Sequence, residues 1–159
     1  MKQRQLSTKK GFTIIEVVLV LAIAGLIFLM VFLALPALQR SQRDTQRKND
    51  MSRVQAAINS YQANNRGALP TAWGSKTTGF VKDYLFTNGD AFQDPDGSDY
   101  TLTDVAAVGS YSKPANFDHK VYMVRNAKCE GETPKASTGS GKVAIVFKLE
   151  GGGIYCLNN

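Results

Sequence analysis

Residues 12–38 read FTIIEVVLVLAIAGLIFLMVFLALPAL, a run in which Glu16 is the only charge and no polar side chain occurs between Val17 and Leu35. Those nineteen residues, at a helical rise of about 1.5 Å each, come close to crossing a bilayer's hydrocarbon core of roughly 30 Å. An ordinary secretory signal has a shorter apolar core, about 7 to 15 residues, and a small-residue cleavage site after it. No such site follows Leu35. The run therefore reads as a retained single-pass anchor, with the basic residues 1–10 held in the cytoplasm and the rest of the chain outside.

The charge pattern supports that orientation. The 159 residues carry 19 Lys and Arg against 13 Asp and Glu, a formal charge of +6. Lys2, Arg4, Lys9 and Lys10 precede the apolar run. Arg40, Arg43, Arg47, Lys48, Arg53 and Arg66 follow it, against Asp44 and Asp50 alone. From Ala68 onward nine basic residues meet ten acidic ones, so the remainder is close to neutral. Basicity concentrated at the flanks of a span sets its orientation in a membrane, and it argues against a nucleic-acid-binding domain.

Beyond Pro36 the composition turns to Gln, Arg, Ser, Asp and Asn. Neither Gly nor Pro recurs before Gly67, as a continued helix requires. Met51, Val54, Ile58 and Tyr61, with Ala57 beside them, recur at helical steps and form an apolar stripe. The stripe predicts packing under a globular domain, with residues 39–50 bridging membrane and domain. Asn64-Asn65-Arg66-Gly67 supplies a stop, and Pro70 prevents resumption.

Residues 68–99 are rich in Gly, Asp, Asn and Thr and carry Trp73, Phe80, Tyr84, Phe86 and Phe92. This reads as a packed irregular connection with a short helix over 80–86, its aromatics serving the core and not a ligand. Asp94-Pro95-Asp96-Gly97 is a turn, since Pro presets φ and Gly tolerates positive φ. Strands are predicted at 120–126, 142–149 and 154–157, with a shorter one from Tyr100. Glu150-Gly151-Gly152-Gly153 suits a hairpin between the last two long strands. The order of elements predicts an α+β fold: a long N-terminal helix, membrane-spanning and then amphipathic, with a small antiparallel sheet packed on its C-terminal half. Cys129 and Cys156 fall in no metal-ligand or C-x-x-C spacing. In an exported domain they would pair as a disulfide, worth roughly 3 to 4 kcal/mol on a chain-entropy argument. Two unpaired buried thiols are the alternative.

The stretch that carries chemistry is Lys9-Lys10-Gly11-Phe12-Thr13-Ile14-Ile15-Glu16. A carboxylate at mid-membrane is disfavoured by about 2.5 to 3.5 kcal/mol, less when it sits one turn from the interface, and such a group calls for a partner. A short basic leader ending in Gly, followed by Phe-Thr-x-x-Glu and a hydrophobic helix, resembles the type IV pilin and pseudopilin family over roughly the first 70 residues; beyond them only the order of elements matches. The resemblance implies cleavage between Gly11 and Phe12 by a membrane prepilin peptidase and N-methylation of the new Phe12 amine. It implies that Glu16 meets the Phe12 amine of a neighbouring subunit as a filament forms. Gly25 and Pro36 would bracket a stretch that unwinds in that filament, and Cys129 with Cys156 would be the C-terminal disulfide common in the family. On this reading the chain divides into a leader at 1–11, a hydrophobic transmembrane and filament-core helix at 12–38, an amphipathic helix at 39–66 and a head domain at 67–159.

The expected function is that of a structural subunit of an extracellular type IV pilus, not an enzyme, serving adhesion or twitching motility. A pseudopilin of a type II secretion system and a DNA-uptake pilin are the alternatives. Expected partners are further copies of the chain, prepilin peptidase, an assembly platform with its cytoplasmic ATPase, and the cytoplasmic membrane before assembly. A host or neighbouring cell surface is the object of attachment, and nucleic acid is not expected. The precursor is placed in the inner membrane and the assembled filament outside the cell. No cofactor and no metal are expected. Gly139-Ser140-Gly141-Lys142 fails as a phosphate loop because Ala136 and Val143 stand where Gly and Ser or Thr are needed. Asp94, Asp96 and Asp99 lack the spacing and terminal Glu of a calcium loop and read as a solvated turn. His119, the only histidine, has no Cys or Ser nearby to make a nucleophile pair and reads as a strand-edge residue.

Overall fold

The computed structural model describes residues 11–86 and 92–159. The leader residues 1–10, Lys9 and Lys10 among them, lie outside the described residues. The chain forms two compact units, one ending at Leu38 and one comprising Gln39–Asn159. A single helix, α1 (Ile14–Asn64), supplies the first with nearly all its described residues and is the one long helix among the described residues of the second.

In the first unit every large apolar side chain from Phe12 to Leu38 is exposed. α1 runs unbroken through Gly25 and Pro36. It is long and apolar enough to cross a membrane, so the side chains with no core to enter match lipid or protein surroundings and not water.

In the second unit the buried face of α1 comprises Asp44, Arg47, Met51, Val54, Ala57 and Ile58. Residues 39–50 are therefore not a simple bridge, as their polarity suggested. Counting back from Met51 by four and then three residues reaches Arg47 and Asp44, which continue the stripe with charge in place of hydrocarbon.

The sheet order is β1 (Thr101–Val105), β2 (Lys120–Arg125), β5 (Val143–Lys148) and β6 (Ile154–Asn158). β2, β5 and β6 pair antiparallel, whereas β1 lies parallel to β2, with Thr101 opposite Lys120 and Val105 opposite Val124. The sheet is thus mixed, not wholly antiparallel. No tight turn joins β1 to β2; residues 106–119 cross back first, through a 3₁₀ turn at Val108–Ser110, and parallel neighbours require such a crossover.

From Val143 to Phe147 five of the six residues of β5 are fully buried. A strand covered on both faces reads as an unbroken apolar run. One cluster joins Met123, Ile145 and Phe147 with the α1 stripe and with Trp73, Phe80 and Phe92, so these aromatics lie in the core. The other joins Val124, Ala144, Val146 and Ile154 with Ala127, which opens a two-stranded hairpin, β3 (Ala127–Glu130) with β4 (Thr133–Ala136). This hairpin was absent from the sequence reading because Pro134 and the charged residues around it argue against strand. The helix expected over 80–86 is a single π turn at Val81–Leu85, in which Phe86 N–H reaches the Val81 carbonyl at 3.1 Å.

Cys129 of β3 and Cys156 of β6 form a disulfide with their Cα atoms 5.7 Å apart. It ties the hairpin to the main sheet. Reduction, or the double substitution Cys129→Ser and Cys156→Ser, is expected to cost about 3 kcal/mol. The melting temperature of the chain in neutral detergent micelles would fall under reductant, and the double variant would show no further response to it.

Candidate functional site

Gly11, Phe12 and Thr13 precede α1 in extended or irregular form, and Phe12 is 90% exposed. Thr13 donates from its backbone N–H and from its hydroxyl to the same oxygen of Glu16, Oε2, each at 2.8 Å. Glu16 N–H returns a bond of 3.4 Å to the Thr13 hydroxyl. This is a reciprocal helix cap, in which Thr at the cap and Glu three residues on satisfy donors that the first turn leaves unpaired. Glu16 also lies where the helix dipole favours an anion. The sequence signal was present, since Thr-x-x-Glu before an apolar run is a capping pattern, but the reading of Glu16 as an assembly residue passed over it.

Two glycines of this unit have no packing reason among the described residues. A Cβ added to Gly11 or to Gly25 would meet no heavy atom within 4 Å, and neither has positive φ. Gly inside a helix is unfavourable by about 0.5 to 1 kcal/mol relative to Ala, and interior Pro by about 3 kcal/mol or more. Gly25 and Pro36 therefore weaken α1 without serving its fold.

The second unit holds a charged centre that no motif announced. Arg47 is wholly buried. Its guanidinium takes Asp94 through two bonds of 2.7 Å, and Asp44 and Glu150 through one each of 2.9 Å. Its Cζ stands 4.2 Å from the centre of the Phe117 ring. Burial opposes the charge, but the bonds to Asp94, Glu150 and Asp44 outweigh it and leave the guanidinium more firmly protonated than usual. Arg43 adds a two-point grip on Glu150 at 2.6 and 2.9 Å. Asp44 in turn accepts the backbone N–H groups of Glu150 and Gly151 at 3.0 and 2.8 Å. The hydrogen bonds from Arg43 and then Arg47 hold the Glu150 carboxyl down at about 2.

Asp94 is therefore not part of a solvated turn. The turn closes as expected, with Gly97 N–H on the Asp94 carbonyl at 2.8 Å, but its first carboxylate faces inward. Potential ligand atoms of Asp94, Asp96 and His119 lie within 4.8 Å of one another, while Asp99 pairs with Lys76. Both Asp94 oxygens are occupied by Arg47, and His119 Nε2 lies 2.7 Å from Asp96 Oδ2. These oxygens are thus already bonded within the protein, Asp94 to Arg47 and Asp96 to His119, and the cluster carries no metal assignment. His119 is more than a strand-edge residue, for it holds a left-handed φ of 55° just before β2. The basic face of α1 is likewise engaged: Arg40 lies 3.9 Å from Glu150, Arg53 pairs with Asp50, and Lys48 stands over the Tyr155 ring.

Removing the Arg47 charge would leave the buried Asp94 carboxylate without a counter-charge and take one bond each from Asp44 and Glu150. Arg47→Met is expected to destabilise the chain by about 3 to 5 kcal/mol, as breaking a buried ion pair does. Glu150 has a folded-state value below its usual 4.5, so its contribution is complete above that pH and disappears as the pH falls towards 2. Acid unfolding followed by circular dichroism is expected to show a limb in this window. Glu150→Gln would flatten the limb and lower the melting temperature at neutral pH.

No curated protein and no solved structure matches the chain. The prokaryotic N-terminal methylation motif, however, matches residues 6–32. That stretch holds the unexplained Gly11, the exposed Phe12, the Thr13 and Glu16 cap and the larger part of the unburied apolar helix. In this match residues 6–32 resemble the class III signal peptide of type IV pilins and pseudopilins, and they support a pilin-like or pseudopilin protein.

Proposed function

We propose that the chain is the precursor of a filament subunit, cut between Gly11 and Phe12 by prepilin peptidase, N-methylated at Phe12 and polymerised through its N-terminal helices into an extracellular type IV pilus used for adhesion or twitching motility. The observation that carries this reading is the methylation motif at residues 6–32, seated on a helix whose large apolar side chains are all exposed up to Leu38. A side chain at Gly11 would meet none of the described residues within 4 Å, which supports recognition by another molecule. Both Thr13 donors converge on Oε2 of Glu16, leaving Oε1 for an incoming ammonium such as the Phe12 amine of a neighbour. Opposite charges attract more strongly in an apolar core than in water, and neither is stable there alone. A contact from one subunit's N-terminus to the next subunit's helix is heterologous, and when it does not close it produces a helical polymer. The chain has no catalytic part in this scheme. Force for extension and retraction comes from a cytoplasmic ATPase acting through an assembly platform.

A secretion pseudopilin shares every one of these features except long native fibres, so imaging of surface filaments that contain the chain separates the two. DNA uptake is disfavoured by the pairing of Arg43, Arg47 and Arg53 with carboxylates.

N-terminal sequencing and mass spectrometry of sheared filaments are expected to find methylated Phe12 as the first residue. Isolated fibres that retain Met1 would contradict the proposal. In a filament map, residues between Gly25 and Pro36 are expected to have lost helical hydrogen bonds, whereas a helix continuous from Phe12 to Asn64 would remove that part of it.

A further inference from the structure

α1 ends in a tight reversal in which Gly67 N–H returns to the Gln62 carbonyl at 2.8 Å. This bond is that of a Schellman cap, and it puts Arg66 at the position that takes a left-handed residue, ordinarily glycine. Arg66 indeed has φ of 55°. A long charged side chain is a poor choice there on backbone grounds alone. Its surroundings are unusual as well. Arg40, Arg43, Arg47, Arg53 and Arg125 each reach a carboxylate; among the described arginines Arg66 alone has none.

Arg66 lines a cleft with Gly67, Arg125, Asn126, Ser140 and Gly141, and no acidic residue lines it. Arg125 is oriented by its bond to Asp104 at 2.7 Å and by the Trp73 ring. Asn126 is the second non-glycine residue in the cleft with left-handed backbone, φ 52°. The far wall is held rigidly. Gln62 Nε2 and Asn159 Nδ2 both donate to the Gly141 carbonyl at 2.7 Å, and Gln62 also reaches the Gly67 carbonyl at 3.3 Å. Gly141 cannot carry a side chain, because its Cβ would stand 2.6 Å from the Gly67 carbonyl oxygen. The negative end of α1 weighs against an anion here, but three of its last carbonyls are engaged: Tyr61 by the Asn65 side chain, Gln62 by two backbone N–H groups and Asn65 by the Ala68 N–H.

We infer that this cleft is a binding site for a tetrahedral oxyanion, a phosphate or sulfate group. The Arg66 and Arg125 guanidinia supply charge, and Ser140 and Asn126 supply neutral hydrogen bonds. Guanidinium groups suit such oxyanions; Arg125 is held in place by Asp104 and the Pro70 carbonyl, while the exposed Arg66 has no carboxylate to compete with the anion. A left-handed arginine in place of glycine is then a cost of the kind that functional positions retain. The inference does not depend on filament formation.

The test uses the full chain in neutral detergent micelles, titrated at constant ionic strength with sodium phosphate, sodium sulfate or sodium chloride and followed by amide NMR. Saturable shifts at Asn126, Ser140 and Gly141 are expected with phosphate and sulfate and not with chloride. Arg66→Gly supplies the preferred cap residue and deletes the guanidinium, so it should melt no lower than the parent while binding phosphate at least about tenfold more weakly. Shifts that fail to saturate or match those of chloride overturn the site. So does an Arg66→Gly chain that binds as the parent does, or one that melts lower, since Arg66 would then serve the fold.

Discussion

One buried guanidinium organises the second unit. Arg47 holds Asp94 of the 94–97 turn, Glu150 of the β5–β6 connection and Asp44 of its own helix. Asp44 extends that hold to the backbone of the same connection. A buried charge of this kind contributes little net stability against a well-packed apolar substitute, and its loss on one side is severe. Its value lies in direction. Hydrocarbon at position 47 could settle against several surfaces, whereas a fork of donors with three acceptors at fixed places admits one seating of helix on sheet.

Farther along α1 hydrocarbon takes over. Met51, Val54 and Ile58 meet the inner face of a sheet whose central strand β5 is covered on both sides. Among the described residues no second long helix covers the outer face; the β3–β4 hairpin lies there, and the disulfide holds it in place. At the end of α1 polar contacts return, with Gln62 and Asn159 both donating to the Gly141 carbonyl and Asn159 donating to the Gln62 side chain. Charge, hydrocarbon and amide thus follow one another along a single helix face.

Much of this was legible before any coordinates, and the reasons differ by element. The apolar run, the stripe from Met51 to Ile58 and strands β2, β5 and β6 have periods or lengths that fit one element type. The Cys129 and Cys156 pairing needed only two cysteines and an exported compartment. What escaped depends on distant partners. Arg47 looks like any solvated helix charge until Asp94 and Glu150, far along the chain, are brought to it. The β3–β4 hairpin runs against its own composition, being held by the disulfide and by burial of Ala127 and Pro134. The direction of β1 depends on how residues 106–119 travel, which no local pattern encodes. At the N-terminus the missed cap was a local signal overshadowed by a more conspicuous one, since Thr13 and Glu16 belong to two motifs at once.

The partners of α1 also set a timetable. Arg47 waits for Glu150, and Gln62 for Gly141 and Asn159, so a chain emerging from its N-terminus carries an amphipathic helix whose counterpart has yet to be made. Such long-range closure rewards the chain only at the end. Until the last residues appear, the segment after Leu38 has no finished core to resist threading through a narrow passage, and the nascent helix needs shelter from water or from other chains in the meantime.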